Sequence, residues 1–470
     1  MGSEWQITTL GKICSKITDG SHQSPKSVLN GMPMASVKDL NHWGIDLNSA
    51  RHISYEDYEI LVKQGCKPSV GDVLVAKDGN SALDTVCVVT RDDEVVLLSS
   101  VAILRPILSD IDPWFLKYYF MSPQVLSYLK NNFISGAAIP RVILKDFKQA
   151  EILLPTLVEQ KKITNHLKSL DDRIDLNRQI NHTLEQMAQT LFKSWFVDFD
   201  PVIDNALDAG NPIPNELQQR ATQRKAVRAS EGFKPLPDNI RQLFPDQFEK
   251  GELGSMPKGW DVKQLTDLGR VVCGKTPSKK VSEYYGGQVS FIKIPDMHGN
   301  VFITKTSDNL SPAGSESQIN KLIPKGSICV SCIATVGLVS ISTSDAHTNQ
   351  QINSLIPECD YHRNYLYFSL IEKKDHFHDL ASGGSATLNM NTSTFSKVKV
   401  LCPSENILRQ FQMYSDPLLN KLLKNIQEIV SLESLRDTLL PKLISGELRL
   451  DQLDIDAGNQ ENISEEIAIA

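Results

Sequence analysis

The chain says one thing twice. Trp5, Leu10-Gly11, Gly71-Asp72 and Ser135-Gly136 reappear in the same order as Trp260, Leu265, Gly326-Ser327 and Ser382-Gly383. The separation barely drifts: Trp5 to Trp260 and Gly71 to Gly326 are each 255 positions, Ser135 to Ser382 is 247 and Pro155 to Pro403 is 248. A period that long exceeds any solenoid unit, so each repeat is a whole domain with its own helical appendage. At 470 residues the chain is in any case too long for a single core.

Within each repeat the pattern is mixed. Short β-rich runs such as Asp72-Val73-Leu74-Val75-Ala76 and Ser327-Ile328-Cys329-Val330-Ser331 sit between turn signals, and Pro113 to Phe120 opens a helix behind Asp112. A long stretch without Pro or Gly follows, from Val158 to Phe196, with Ile163, Leu167, Leu170, Ile174, Ile180, Leu184, Met187 and Leu191 mostly three or four apart. That is the stripe of an amphipathic, coiled-coil-like helix, and one so long needs a partner along its length. The stripe Leu419, Leu422, Ile426, Ile429, Leu432, Leu435, Leu439, Leu443 supplies it, ending at Gly446, with Pro417 and Pro441 expected to kink that helix or trim its ends.

The expected fold is α+β and pseudo-twofold, with two similar domains (1–153 and 258–403) separated by two long antiparallel helices (154–197 and 404–446). A Pro/Gly-rich connector at 198–257, lying on the surface and interrupted by a short basic helix from Leu217 to Arg228, joins the halves. An acidic, flexible tail fills 447–470.

Charge neither proves nor excludes a nucleic-acid partner. The net charge is −7, but from Asp451 onward there are six acidic residues and no Lys or Arg, which leaves −1 for residues 1–450. Eight scattered cysteines, no apolar leader and no apolar run of membrane-spanning length fit a soluble cytoplasmic protein with reduced thiols and no membrane contact.

Local motifs for catalysis are sparse. Gly269 to Thr276 satisfies P-loop spacing, yet Pro277 follows directly and no helix pattern opens behind it. Cys329-x-x-Cys332 with His376-x-His378 reads as packing cysteines on a strand, where the two thiols point to opposite faces. Neither a methyltransferase Asn-Pro-Pro-aromatic signature nor a Gly-x-Ser-x-Gly elbow occurs, which favours a binding role. What remains are polar, glycine-flanked loops: Thr18 to His22, Lys77 to Ser81, Ser135 to Arg141, Thr335 to Gly337, Thr348 to Gln351 and Ser382 to Asn389. Their side chains are of the kinds that bond base edges and phosphates.

Three further stretches carry a family likeness. Leu154-Pro155-Thr156-Leu157-Val158-Glu159-Gln160-Lys161-Lys162-Ile163 and Leu184 to Phe199 resemble the central helical region of the DNA-specificity subunits of type I restriction-modification systems. Leu253 to Trp260 resembles the start of that family's second target-recognition domain. The resemblance implies a non-catalytic subunit that reads a bipartite site in double-stranded DNA. It further implies two docked adenine-methyltransferase subunits and two restriction subunits, which bring S-adenosylmethionine, ATP and Mg. The second helical segment departs from the pattern: Pro403-Ser404-Glu405-Asn406-Ile407 is a weak version of the Pro-x-x-x-Glu-Gln start of the first. On loop placement and residue type, the DNA contacts are expected at Ser21, His22, Lys77, Asn80 and Arg141 in the first domain. In the second they are expected at Lys275, Ser278, Lys279, Lys293, Ser385 and Asn389. The competing readings are a P-loop nucleotide-binding enzyme and a protein scaffold that reads no DNA.

Overall fold

In a computed structural model, the structure describes residues 5–136, 140–382 and 388–450. It divides into two compact units: residues 1–175 with 429–470, and residues 176–428. Both long helices are present, Leu157–Phe196 and Glu405–Ser445, and each begins in one unit and ends in the other.

The two units repeat one topology. In the first, an antiparallel sheet has the order Cys14–Asp19, Val101–Pro106, Val73–Ala76, Val86–Val88. The second has the order Gly269–Cys273, Ile352–Pro357, Ile328–Ser331, Val339–Ser342, with Phe302–Ile303 added in parallel at the edge. A smaller three-stranded sheet recurs as well, with one antiparallel and one parallel neighbour around its middle strand: Met32–Ala35 in the first unit, Tyr285–Ile292 in the second. Each domain is closed by pairing its first strand with its last, Gln6–Thr9 with Glu151–Leu154 and Asp261–Gln264 with Lys399–Cys402.

Helix Pro113–Met121 forms as the sequence predicts. Pro113 occupies the first turn, where no amide hydrogen is needed, and the Asp112 carboxylate accepts from the amides of Trp114 and Phe115. Its counterpart is Arg363–Ile371. Each packs the long helices into its own core. In the first unit Phe115, Leu116 and Phe120 join Ile163, Leu167, Leu440 and Leu443. In the second, Leu366 and Phe368 join Phe192, Trp195, Phe411 and Leu419.

The long helices run antiparallel within each unit. In the first, Glu159 meets Arg449, just past the end of the second helix, and Asp171 meets Arg436 on it. In the second, Asn181 meets Asn425 and Phe196 meets Phe411, so one number falls as the other rises. The second helix is not trimmed by its prolines and runs through Pro417 and Pro441. The bonds that these prolines forgo would end on the carbonyls of Met413 and Asp437, two residues with exposed side chains.

The connector is more ordered than its breaker content suggests. Helices Asp200–Ala209 and Gln218–Arg228 lie side by side, with Val202 and Ile203 fully buried. Asp200, Asp204 and Asp208 face Arg220, Arg224 and Arg228 at matching four-residue steps, so the arginines of the short basic helix are spent on carboxylates.

Candidate nucleic-acid interface

The loops singled out in the sequence meet on one backbone lattice, and the lattice is built twice. In the first unit the Gly20 amide donates to the Val101 carbonyl, Ser21 to Leu97, Lys77 to Ser100, Gly79 to Pro140 and Val142 to Lys77. In the second, Gly274 donates to Ile352, Lys275 to Thr348, Cys332 to Gln351, Ala334 to Leu388 and Met390 to Cys332. The two sets match bond for bond. Even the isolated bridges correspond, Asp78 with Arg141 and Ile333 with Asn389.

Two positions show why the sequence has to be as it is. A Cβ on Gly20 would lie 2.1 Å from the Leu97 carbonyl oxygen, and one on Gly274 would lie 2.1 Å from that of Asn349, so no side chain fits where the strands cross. At the neighbouring turn Gly79 has φ 91° and its counterpart Ala334 has φ 63°, the left-handed region. An alanine there costs about 1 kcal/mol, which the lattice bonds on either side offset.

On this frame the expected contact residues fall into three groups. His22, Asn80 and Arg141 are exposed at the first lattice, and Lys275 and Asn389 at the second. Arg141 and Asn389 occupy the same lattice position, as do Ser21 and Lys275. Ser278 and Lys279 are exposed in the loop that leaves the second lattice, and Lys293 is half-buried beside it, paired with Asp308. The remaining picks are less available. Ser21 is buried, with its hydroxyl turned back onto the Gln23 backbone. Lys77 is buried, its ammonium 3.3 Å from Asp19 and 3.2 Å from Asp78, while Asp19 also lies 3.2 Å from the His22 imidazole. Lys77 therefore holds two loops of the first lattice together. Ser385 lies outside the described residues.

The frame also shows what sequence reasoning passed over. Thr276 and Gln350 come from loops 74 positions apart, and the Thr276 hydroxyl donates to the Gln350 side-chain oxygen at the rim of the second lattice. Thr348-Asn349-Gln350-Gln351 was legible as a polar loop, but nothing in it marked Gln350 as the residue that turns outward.

Neither rival chemistry finds a site. Gly269–Cys273 is a strand, and behind Thr276 comes a loop leading to a three-residue 3-10 turn at Ser282–Tyr284. No helix N-terminus is aimed at a phosphate there. Cys329 and Cys332 are buried, and burial pushes their thiols up to about 12 and about 11, so neither is a thiolate. Among the described residues no group of three His, Cys, Asp or Glu side chains is placed to hold a metal ion, and no helix is long and apolar enough to cross a membrane.

A backbone lattice built twice, with exposed polar side chains at each copy, marks a chain made of two like domains. The family model for the type I restriction-modification DNA specificity domain matches residues 2–186 and 257–428, and the chain belongs to that family. Among curated relatives, the type I restriction enzyme HindI specificity subunit of Haemophilus influenzae is 38% identical over 95% of this chain and all of that protein. The MjaIX specificity subunit of Methanocaldococcus jannaschii is 26% identical over 72% of this chain and 70% of that protein. Among solved structures, the type I restriction-modification S subunit from M. genitalium covers 93% of this chain and 96% of that one, with 15% identity and a TM-score of 0.55, and so shares the fold.

Proposed function

We propose that this chain is the sequence-reading subunit of a type I restriction-modification complex, and that each lattice reads one half of a bipartite site in double-stranded DNA. The single observation that carries this reading is the lattice itself, the same bond pattern built twice under different exposed side chains. A rigid backbone floor positions the readers, and what stands on it sets the sequence. Arg141 and Asn389 read base edges at matching places, while Lys275, Ser278, Lys279 and Lys293 set position through phosphates.

The chain is a reader without catalytic residues of its own. Chemistry enters with two methyltransferase subunits and two restriction subunits, which bring S-adenosylmethionine, ATP and Mg, in the cytoplasm where the DNA is. Exposed apolar residues on the long helices, Met187 and Met413 among them, suit partner docking. The long helices, common to both units, act as the spacer that fixes the gap between half-sites.

The test is a pair of variants in the complex reconstituted with its cognate methylating partner. Arg141→Ala should relax base preference in one half-site only, and Asn389→Ala in the other only. Unchanged preference for both variants, or the same half altered by each, contradicts the assignment.

A further inference from the structure

We propose that Gln350 is a further specificity-determining residue of the second domain, beside Asn389, and that Thr276 is its positioning residue. The inference rests on the DNA-reading role proposed above and names a further group that performs it in one half. The neighbours of Gln350 turn inward: Asn349 is nearly buried, and its carboxamide bonds the side chain and backbone of Gln351. Gln350 is exposed, with its side-chain oxygen held by the Thr276 hydroxyl across the loop. The backbone beneath is fixed on both sides, since Thr348 accepts from Lys275 and Gln351 accepts from Cys332. Gly274, where no Cβ fits, keeps the two loops in contact.

With one lone pair of its oxygen taken by the Thr276 hydroxyl, the Gln350 carboxamide keeps both N–H bonds to donate and loses part of its capacity to accept. Such a donor-weighted group matches an edge rich in acceptors, and in the major groove the guanine edge, with O6 and N7, is the one that offers two. The second half-site is therefore read at one position as guanine. In the first domain the same lattice place carries Ser99, whose short hydroxyl both donates and accepts, so the two halves differ at a position where their backbones agree.

The experiment uses the complex reconstituted with its cognate methylating partner and competes duplexes randomised across the second half-site. Wild type should favour guanine at one position. Gln350→Ala should flatten that preference by roughly 5- to 150-fold and leave the other positions and the first half-site intact. Gln350→Glu, an acceptor only, should move the preference to cytosine on the same strand, whose N4 donates. Thr276→Val, which keeps the shape but frees the amide, should weaken the same preference with overall affinity retained. An unchanged profile for Gln350→Ala, or an even loss of affinity over all duplexes, overturns the inference while leaving the DNA-reading role standing. A wild-type complex with no base preference in either half overturns both.

Discussion

Lys117 and Tyr367 hold the same place, the fifth residue of a nine-residue helix that packs on the long helices, and both are buried, yet the junctions that the two helices make differ in chemistry. The Lys117 ammonium is fully buried, 3.4 Å from Asp171 on the first long helix, with the rings of Trp43, Trp114 and Tyr118 around it. Asp171 also accepts from the Tyr118 hydroxyl at 2.8 Å and pairs with Arg436 of the second long helix at 3.0 Å. Burial pulls the Lys117 pKa below its ordinary value, and Asp171 opposes that pull. In the second unit the junction is aromatic: Phe411 lies 5.0 Å from Phe196, 5.9 Å from Phe192 and 6.1 Å from Trp195, ring centre to ring centre. One frame can thus be held by an ion network or by packed rings, and the two respond differently to change. A buried ion network is unforgiving of a single loss and tolerant of wholesale replacement, whereas packed rings lose in proportion to what is removed.

The largest expected effects break the comparison directly. Asp171→Ala strands the fully buried Lys117 and leaves the half-buried Arg436 with Asp437 alone, and it should destabilise the first unit by about 3–5 kcal/mol, whereas the triple change Lys117→Met, Asp171→Leu, Arg436→Met should be near neutral or stabilising. Phe411→Ala should cost the second unit about 3–5 kcal/mol with no apolar rescue of that kind. Denaturant unfolding that reports each unit separately checks all three. A triple variant no more stable than Asp171→Ala would show that the first junction is not an ion network in energetic terms.

Smaller effects sharpen the same contrast at the lattices. Replacing the buried Lys77 by Met removes the cation between Asp19 and Asp78 and should loosen the first lattice alone, lowering affinity for the first half-site by about 1–3 kcal/mol. The second lattice has Cys332 at that place, so Cys332→Ser should leave both half-sites read as before. Competition binding to duplexes carrying one intact and one scrambled half-site separates these outcomes.

The smallest effect belongs to the connector. Arg228 and Arg241 hold the Asp208 carboxyl below its ordinary value of 3.8. A depressed folded-state value means that the pair stabilises the fold above pH 3.8 and that this contribution is lost as pH falls through the lower folded value. Asp208 is partly exposed, so the contribution is about 0.5 kcal/mol. Asp208→Asn should remove that part of the acid sensitivity of the second unit, read as a change in the slope of stability against pH.

The duplication, the mixed domains and the two long helices were legible because they rest on period, stripe and punctuation, which survive divergence of the surface. The lattice was not, since bonds such as Gly79 to Pro140 join residues far apart in sequence, and no local signal gives their register. That is why Lys77 and Ser21, polar residues in glycine-flanked loops, read as surface contacts although the fold turns them inward. His22, Asn80 and Arg141 are exposed, as their polar loops suggested, although His22 lies beside Asp19 and the Arg141 backbone bridges to Asp78. Pro417 and Pro441 misled as to trimming, since the helix runs on through both of them.

The central claim is that two like heads read two separate stretches of one duplex. Selection of binding sites from a fully randomised duplex library by the reconstituted complex tests it most directly. The account predicts an enriched motif of two short blocks separated by an unread gap of constant length. A single continuous block, or two blocks whose gap varies freely, would contradict it.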